Sequence, residues 1–186
     1  MPFGAPPKSP DIRGLSHFAT QIPGAKRETR VPRTVAPVTS RVHALHIAPG
    51  RKIHTKSVDS VEAEAGDGLV GDRYHGAKHR HVTVQALDDL AAAAEVLGRP
   101  VDPGLTRRNI TLTTGPIPTR PGERMRIADV ELEVVRIAAP CRLLDDWLGP
   151  GAMQALRSPR GGTVFRLLGS GTIRVGDDAV AGPAPG

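Results

Sequence analysis

From Arg41 onward, apolar and polar residues alternate in short runs separated by Gly, Pro and Asp, the pattern of a chain built from many short strands. The clearest run is Arg124-Met125-Arg126-Ile127, followed across Ala128-Asp129 by Val130-Glu131-Leu132-Glu133-Val134. A period of two puts Met125, Ile127, Val130, Leu132 and Val134 on one face. It leaves Arg124, Arg126, Glu131 and Glu133 to pair across the other, which predicts a β-hairpin. Shorter alternations predict strands at Val42–Ile47, His81–Gln85, Asn109–Thr113 and Thr172–Val175. The period changes once, at Ala86–Leu97, where Leu87, Leu90, Ala94 and Leu97 share a helical face and Gly98 occupies the stop position. A short helix is expected from Cys141 to Trp147, burying Leu144, Trp147 and Leu148, and another over Ala152–Leu156. This order predicts a mainly β barrel with appended α-helices in a single domain, and does not fit a doubly wound α/β sheet.

Charge divides the chain. Residues 1–40 carry six basic side chains (Lys8, Arg13, Lys26, Arg27, Arg30, Arg33) against Asp11 and Glu28, so most of the net charge of +6 lies there. With its prolines and its lack of a sustained period, this stretch reads as a disordered basic tail ahead of a domain over residues 41–180, with 181–186 a flexible C-terminus. It has neither the apolar centre of a secretory signal nor the unbroken amphipathic helix of an organelle-targeting peptide. The balanced remainder and an aromatic content of 3% argue against a specific nucleic-acid partner. No apolar run approaches ~20 residues, so no membrane span is expected. One cysteine in the whole chain suits a reducing cytoplasm.

That cysteine, Cys141, opens the expected second helix. A lone thiol forms no intramolecular disulfide and no Cys-rich zinc site, so it is a buried small hydrophobe or a reactive sulfur. A helix N-terminus and nearby guanidinium groups favour the reactive form. Three other stretches offer chemistry. Gly66–Gly76 combines turn-forming glycines with Arg73 but has neither the P-loop ending nor a dinucleotide fingerprint; a turn between strands is the simpler reading. Arg107-Arg108-Asn109 sets two guanidiniums and a carboxamide at a strand mouth, suited to phosphate or carboxylate oxygens or, equally, to solvent. Arg157–Thr163 places Arg160 beside the flexible backbone of Gly161 and Gly162. His75, His79 and His81 are close enough in sequence to suggest a metal, but Lys78 and Arg80 between them oppose a dication. No Gly-x-Ser-x-Gly elbow is present.

In order, Gly68-Leu69-Val70-Gly71-Asp72-Arg73, Arg107-Arg108-Asn109-Ile110, Cys141-Arg142-Leu143-Leu144-Asp145, Arg160-Gly161-Gly162 and Gly171–Asp177 resemble the marks of the MOSC domain, the C-terminal module of molybdenum cofactor sulfurases. The resemblance spans about Arg41 to Asp178. It implies a pyruvate-kinase-type β-barrel whose mouth holds the cysteine and the basic loops. It further implies a molybdenum cofactor (molybdopterin), with Cys141 as molybdenum ligand and Arg73, Arg107, Arg108, Asn109, Arg160, Gly161 and Gly162 around the pterin and its phosphate. Asp72 and Asp145 are expected to fix loops, because a carboxylate facing a phosphate is repelled. The implied activity is reduction of N-hydroxylated substrates with electrons from a redox partner. The alternative is a sulfur carrier that takes persulfide sulfur on Cys141 from a cysteine desulfurase, any pyridoxal phosphate belonging to that partner. The chain has no second cysteine of the kind many relatives carry, which removes a resolving thiol, and it has no aminotransferase-like segment. The sequence leaves the oligomeric state open.

Overall fold

The computed structural model describes residues 39–182, and the expectations for the tail and the last residues fall largely outside them. The chain forms β1 (Thr39–Ile47), β2 (Lys56–Val58), β3 (Ser60–Glu64), β4 (Gly68–Leu69) and β5 (Val82–Ala86) before the helix α1 (Leu87–Leu97). A 3₁₀ turn (Pro103–Leu105) leads into β6 (Ile110–Leu112), β7 (Arg124–Ile127) and β8 (Val130–Ile137). Then come α2 (Leu143–Leu148), α3 (Ala152–Ala155), β9 (Thr163–Leu167), β10 (Gly171–Arg174) and β11 (Asp178–Ala181).

The barrel runs β1-β11-β7-β8-β9-β5-β6 and closes where β6 pairs with β1. Closure leaves these strands without a free edge. All its pairs are antiparallel except β5–β6, and a parallel pair needs a crossover, which α1 supplies. β2 adds to the outer part of β1, and β10-β3-β4 form a separate small sheet. Apolar residues on the inward positions fill the barrel, with Phe165, Leu45, Ile110, Ile127, Leu132 and Leu167 fully buried.

The predicted hairpin is present, with Arg124 opposite Glu133 and Arg126 opposite Glu131. The shortest ionic contact within the hairpin is diagonal, Arg124 Nη1 lying 2.8 Å from Glu131 Oε1; Arg124 Nε is also 3.7 Å from Glu133 opposite it, and Glu133 takes Arg166, its opposite residue on β9, at 2.6 Å. With Glu131 engaged, Arg126 donates to the Ala128 carbonyl instead.

The three helices share a second apolar cluster of Leu90, Ala93, Leu144, Ala152, Ala155 and Leu156. The first helix ends as its sequence predicts, at Gly98 with φ 64°. Its buried face is centred on Leu90 and Ala93, one residue from the expected Ala94, since Ala93 meets the third helix's cluster. The second helix begins at Leu143, two residues after Cys141, because Arg142 is its N-terminal boundary. Only Leu144 of its predicted apolar face is fully buried.

Candidate active site

Cys141 lies in the link between β8 and α2, with its side chain exposed. Beside it is a cavity of about 330 Å³ lined by Arg51 and Lys52 from the β1–β2 connection, Tyr74 and Arg80 from the β4–β5 loop, Thr106, Arg107 and Arg108 before β6, and Ala139, Cys141 and Leu143. Five cations and no carboxylate line it. Larger hollows, about 590 Å³ by Met153 and Arg157 and about 470 Å³ by Gly98 and Arg99, carry one cation each and no thiol. The volume beside Cys141 lies at the lower end of the ~300–1,000 Å³ range of small-molecule sites.

Arg108 is almost wholly buried. Its Nε donates to the Gly161 carbonyl at 2.7 Å and its Nη2 to the Ala138 carbonyl at 3.4 Å. One guanidinium thereby ties the segment that carries Cys141 to the loop before β9. Burial, and after it the charge of Arg80, pulls the Arg108 pKa down to about 10, while Cys141 acts in the opposite sense. Arg107 adopts a left-handed backbone (φ 64°), which turns consecutive arginines in different directions. Its Nη1 donates to the Ile53 carbonyl at 3.2 Å, and its guanidinium lies 4.9 Å from the Trp147 ring centroid. Burial first, and Arg73 second, lower its pKa.

Tyr74 organises two further arginines. Arg73 Cζ stands 4.6 Å and Arg80 Cζ 4.1 Å from its ring centroid, cation–π contacts that hold like charges near one another. Arg73 Nε and Nη1 and Arg80 Nε are buried without a hydrogen-bond acceptor. Arg73 Nη1 has only the longer ionic contact to Asp72 Oδ2 at 3.5 Å. A buried cationic donor without an acceptor is costly, so this arrangement calls for an anion.

Other sequence-predicted residues build the scaffold. Asp72 Oδ2 accepts from the backbone N–H of Ala48 and from Asn109 Nδ2, both at 3.0 Å, and Oδ1 accepts from the Tyr74 N–H at 3.1 Å. Asp145 accepts from the Met153 N–H at 2.8 Å and joins α2 to α3. Asn109 departs from its expected contact with a pterin: Oδ1 takes the N–H and hydroxyl of Thr83, and Nδ2 serves the His46 carbonyl and Asp72. Both ends of the amide are engaged within the barrel wall.

Arg160 also departs from expectation. Its Nε donates to the Ala155 carbonyl at 2.6 Å, and its charge acts on Asp89 of α1, so it serves the helical cluster and does not line the Cys141 cavity. Gly161 and Gly162 do not line it either. They permit close packing: a Cβ on Gly162 (φ 77°) would sit 2.3 Å from the Val84 carbonyl oxygen, and one on Gly161 2.5 Å from that of Leu156.

The histidines do not converge. His75 Nε2 pairs with Glu64 Oε2 at 2.9 Å, His79 is exposed, and the buried His81 accepts the Leu167 N–H on Nδ1 at 2.9 Å. Burial lowers the His81 pKa, consistent with a neutral ring accepting that bond. Sequence reasoning missed Tyr74, Arg80, Arg51 and Lys52 as cavity residues. The sole local signal was the placement of Arg80 next to a strand, seven residues from Arg73.

This donor set fits a guest with an anionic oxygen-rich group, such as a phosphate, at one end and a soft metal within reach of sulfur. The MOSC domain profile matches residues 71–180 of the chain. No curated protein matches it in sequence. Among solved structures, the YuaD protein of Bacillus subtilis superposes with a TM-score of 0.69 at 17% identity, over 80% of this chain and 99% of that one. YiiM from Geobacillus stearothermophilus gives a TM-score of 0.61 at 17% identity, over 77% of this chain and 75% of that one. YiiM from Escherichia coli gives 0.58 at 14% identity, over 78% and 71%. At these identities the likeness concerns the fold. Among the described residues no helix is long and apolar enough to cross a membrane.

Proposed function

We propose, on the premise that this chain belongs to the MOSC domain family, that it binds molybdenum cofactor in the cavity beside Cys141, with Cys141 Sγ as the protein's ligand to molybdenum. The observation that carries this reading is the set of buried Arg73 and Arg80 N–H groups without acceptors, next to a cavity that shares an exposed thiol. Arg80 and Arg108 hold the phosphate, Arg73 stands behind them outside the cavity lining, donating to the Arg107 carbonyl at 3.4 Å and set against Asp72, Arg107 is braced on Trp147 beside them, and the Arg108 bonds to Gly161 and Ala138 position the link bearing Cys141. When bound, the group supplies two-electron reduction of N-hydroxylated substrates. A redox partner delivers the electrons, in the cytoplasm.

Metal and pterin analysis of wild-type protein and Cys141→Ser, both purified from a host that makes the cofactor, tests this. Near-stoichiometric molybdenum in the wild type and its loss from the variant is expected; folded wild-type protein free of molybdenum contradicts it.

The exposure of Cys141 favours one second reading. Its sulfur attacks the outer sulfur of a desulfurase cysteine persulfide, a new S–S bond forms, the donor's S–S bond breaks and the donor leaves as thiolate. Incubation with a pyridoxal-phosphate desulfurase and cysteine then adds the mass of sulfur to Cys141; an unmodified thiol rejects it.

A further inference from the structure

The β1–β2 connection brings two cations, Arg51 and Lys52, to the cavity shared with Cys141, and three contacts fasten it there. Arg107 Nη1 donates to the Ile53 carbonyl at 3.2 Å, the Thr55 hydroxyl donates to the Gly104 carbonyl, and the His54 ring stacks on Trp147 with centroids 4.1 Å apart and planes at 23°. Lys52 holds a left-handed backbone, φ 58°, which is unfavourable for a side chain with a Cβ and persists only where surrounding contacts impose it. The cationic pair is therefore held at the cavity by the clasp around it. Among the described residues neither Arg51 nor Lys52 is in an ion pair.

A phosphate monoester brings about two negative charges at neutral pH. Arg80, Arg107 and Arg108, all lining the cavity, already exceed that. Arg51 and Lys52 remain in surplus, exposed to solvent on the same cavity as Cys141. A surplus of fixed cations with no lining carboxylate selects for charge on the molecule that enters next.

We infer that Arg51 and Lys52 select an anionic substrate, one whose carboxylate or phosphate they bind while its N-hydroxyl end is turned to Cys141. This rests on the cofactor reading above. In the reaction the N–O bond breaks, two electrons come from the redox partner and two protons from solvent, and water leaves as the N–H product forms. Arg51 and Lys52 touch only the anionic end of the substrate.

The test uses the cofactor-loaded full chain and two probes, benzamidoxime and 4-carboxybenzamidoxime. A KM about tenfold lower for the carboxylated probe is expected at low salt, with the advantage shrinking as salt screens the rim. In R51Q/K52Q the ratio of the two KM values falls to near one, with molybdenum content as in the wild type. The inert pair 4-carbamoylbenzoate and benzamide, compared by calorimetry, reads binding apart from turnover and is expected to show the same preference. Equal constants for the charged and neutral members in the wild type overturn the inference. Loss of molybdenum from R51Q/K52Q also overturns it, since the two cations would then hold the cofactor. Wild-type protein without molybdenum instead defeats the cofactor reading, and the inert pair still decides whether the rim prefers an anion.

Discussion

Replacing Arg108 by Met separates stability from binding at this site. In the folded protein the Arg108 pKa falls from the ordinary guanidinium range to about 10, chiefly through burial and then through Arg80. At 1.36 kcal/mol per unit, the charged side chain costs the empty fold about 3 kcal/mol. The sign follows from linkage: the folded state binds this proton less tightly than the unfolded one, so the cost is fully present below pH 10 and is relieved only as pH rises above 10 toward the ordinary guanidinium value. Met fills similar space without the charge. It also removes the bonds to Gly161 and Ala138, which offsets about 1–3 kcal/mol of that gain.

Phosphate-free Arg108→Met is therefore expected to be at least as stable as wild type, by about 0–2 kcal/mol, or up to about 6 °C in Tm for a domain of this size. Inorganic phosphate shifts the balance back toward the wild type. At ten times its dissociation constant it stabilises the wild type by about 1.4 kcal/mol, and the variant responds far less. Thermal melts across a phosphate series at pH 7 read both effects. A variant destabilised by 3 kcal/mol or more without phosphate would refute the reasoning, for Arg108 would then be a structural strut and its charge incidental to any guest.

Asp72→Asn keeps the shape but turns an N–H toward donors and leaves Arg73 without its ionic neighbour, so a loss of about 2–4 kcal/mol is expected in denaturant titrations. Gly162→Ala forces a Cβ against Val84, with the 2.3 Å approach noted above, and is expected to abolish folded protein on circular dichroism. Gly66→Ala, at φ 81° but with nothing within 4 Å, should cost only about 1 kcal/mol. Cys141→Ser, at an exposed position, should leave unfolding stability within about 0.5 kcal/mol of wild type while molybdenum is lost.

The sequence disclosed elements whose local period was strong. The 124–134 hairpin alternates without interruption, and Ala86–Leu97 carries a helical stripe closed by Gly98. β9 escaped notice because Thr163, Val164, Phe165 and Leu167 are all buried, and a strand covered on both faces shows no alternation. β3 does alternate, but Ala63 is too small to mark its inward position clearly. At the site, Cys141 and the arginines at 73, 107 and 108 were legible as chemistry. Arg160 and Asn109 read the same way, yet a carbonyl at Ala155 and a threonine at position 83 claim them. Asn109 meets Thr83 through the pairing of β5 with β6, 26 residues apart in the chain, whereas Arg160 turns back to a carbonyl in the helix just before it; neither choice shows in residue type alone, and barrel closure sets the long-range ones. The same closure brings Tyr74, Arg80, Arg51 and Lys52 to the cysteine, and no short-range spacing encodes that meeting.

The most direct measurement is an anomalous difference map at the molybdenum edge from crystals of protein purified from a cofactor-making host. A molybdenum peak within bonding distance of Cys141 Sγ and phosphate density against Arg80 and Arg108 are expected. A map with no molybdenum in the cavity, or with the metal bound away from Cys141, would contradict this.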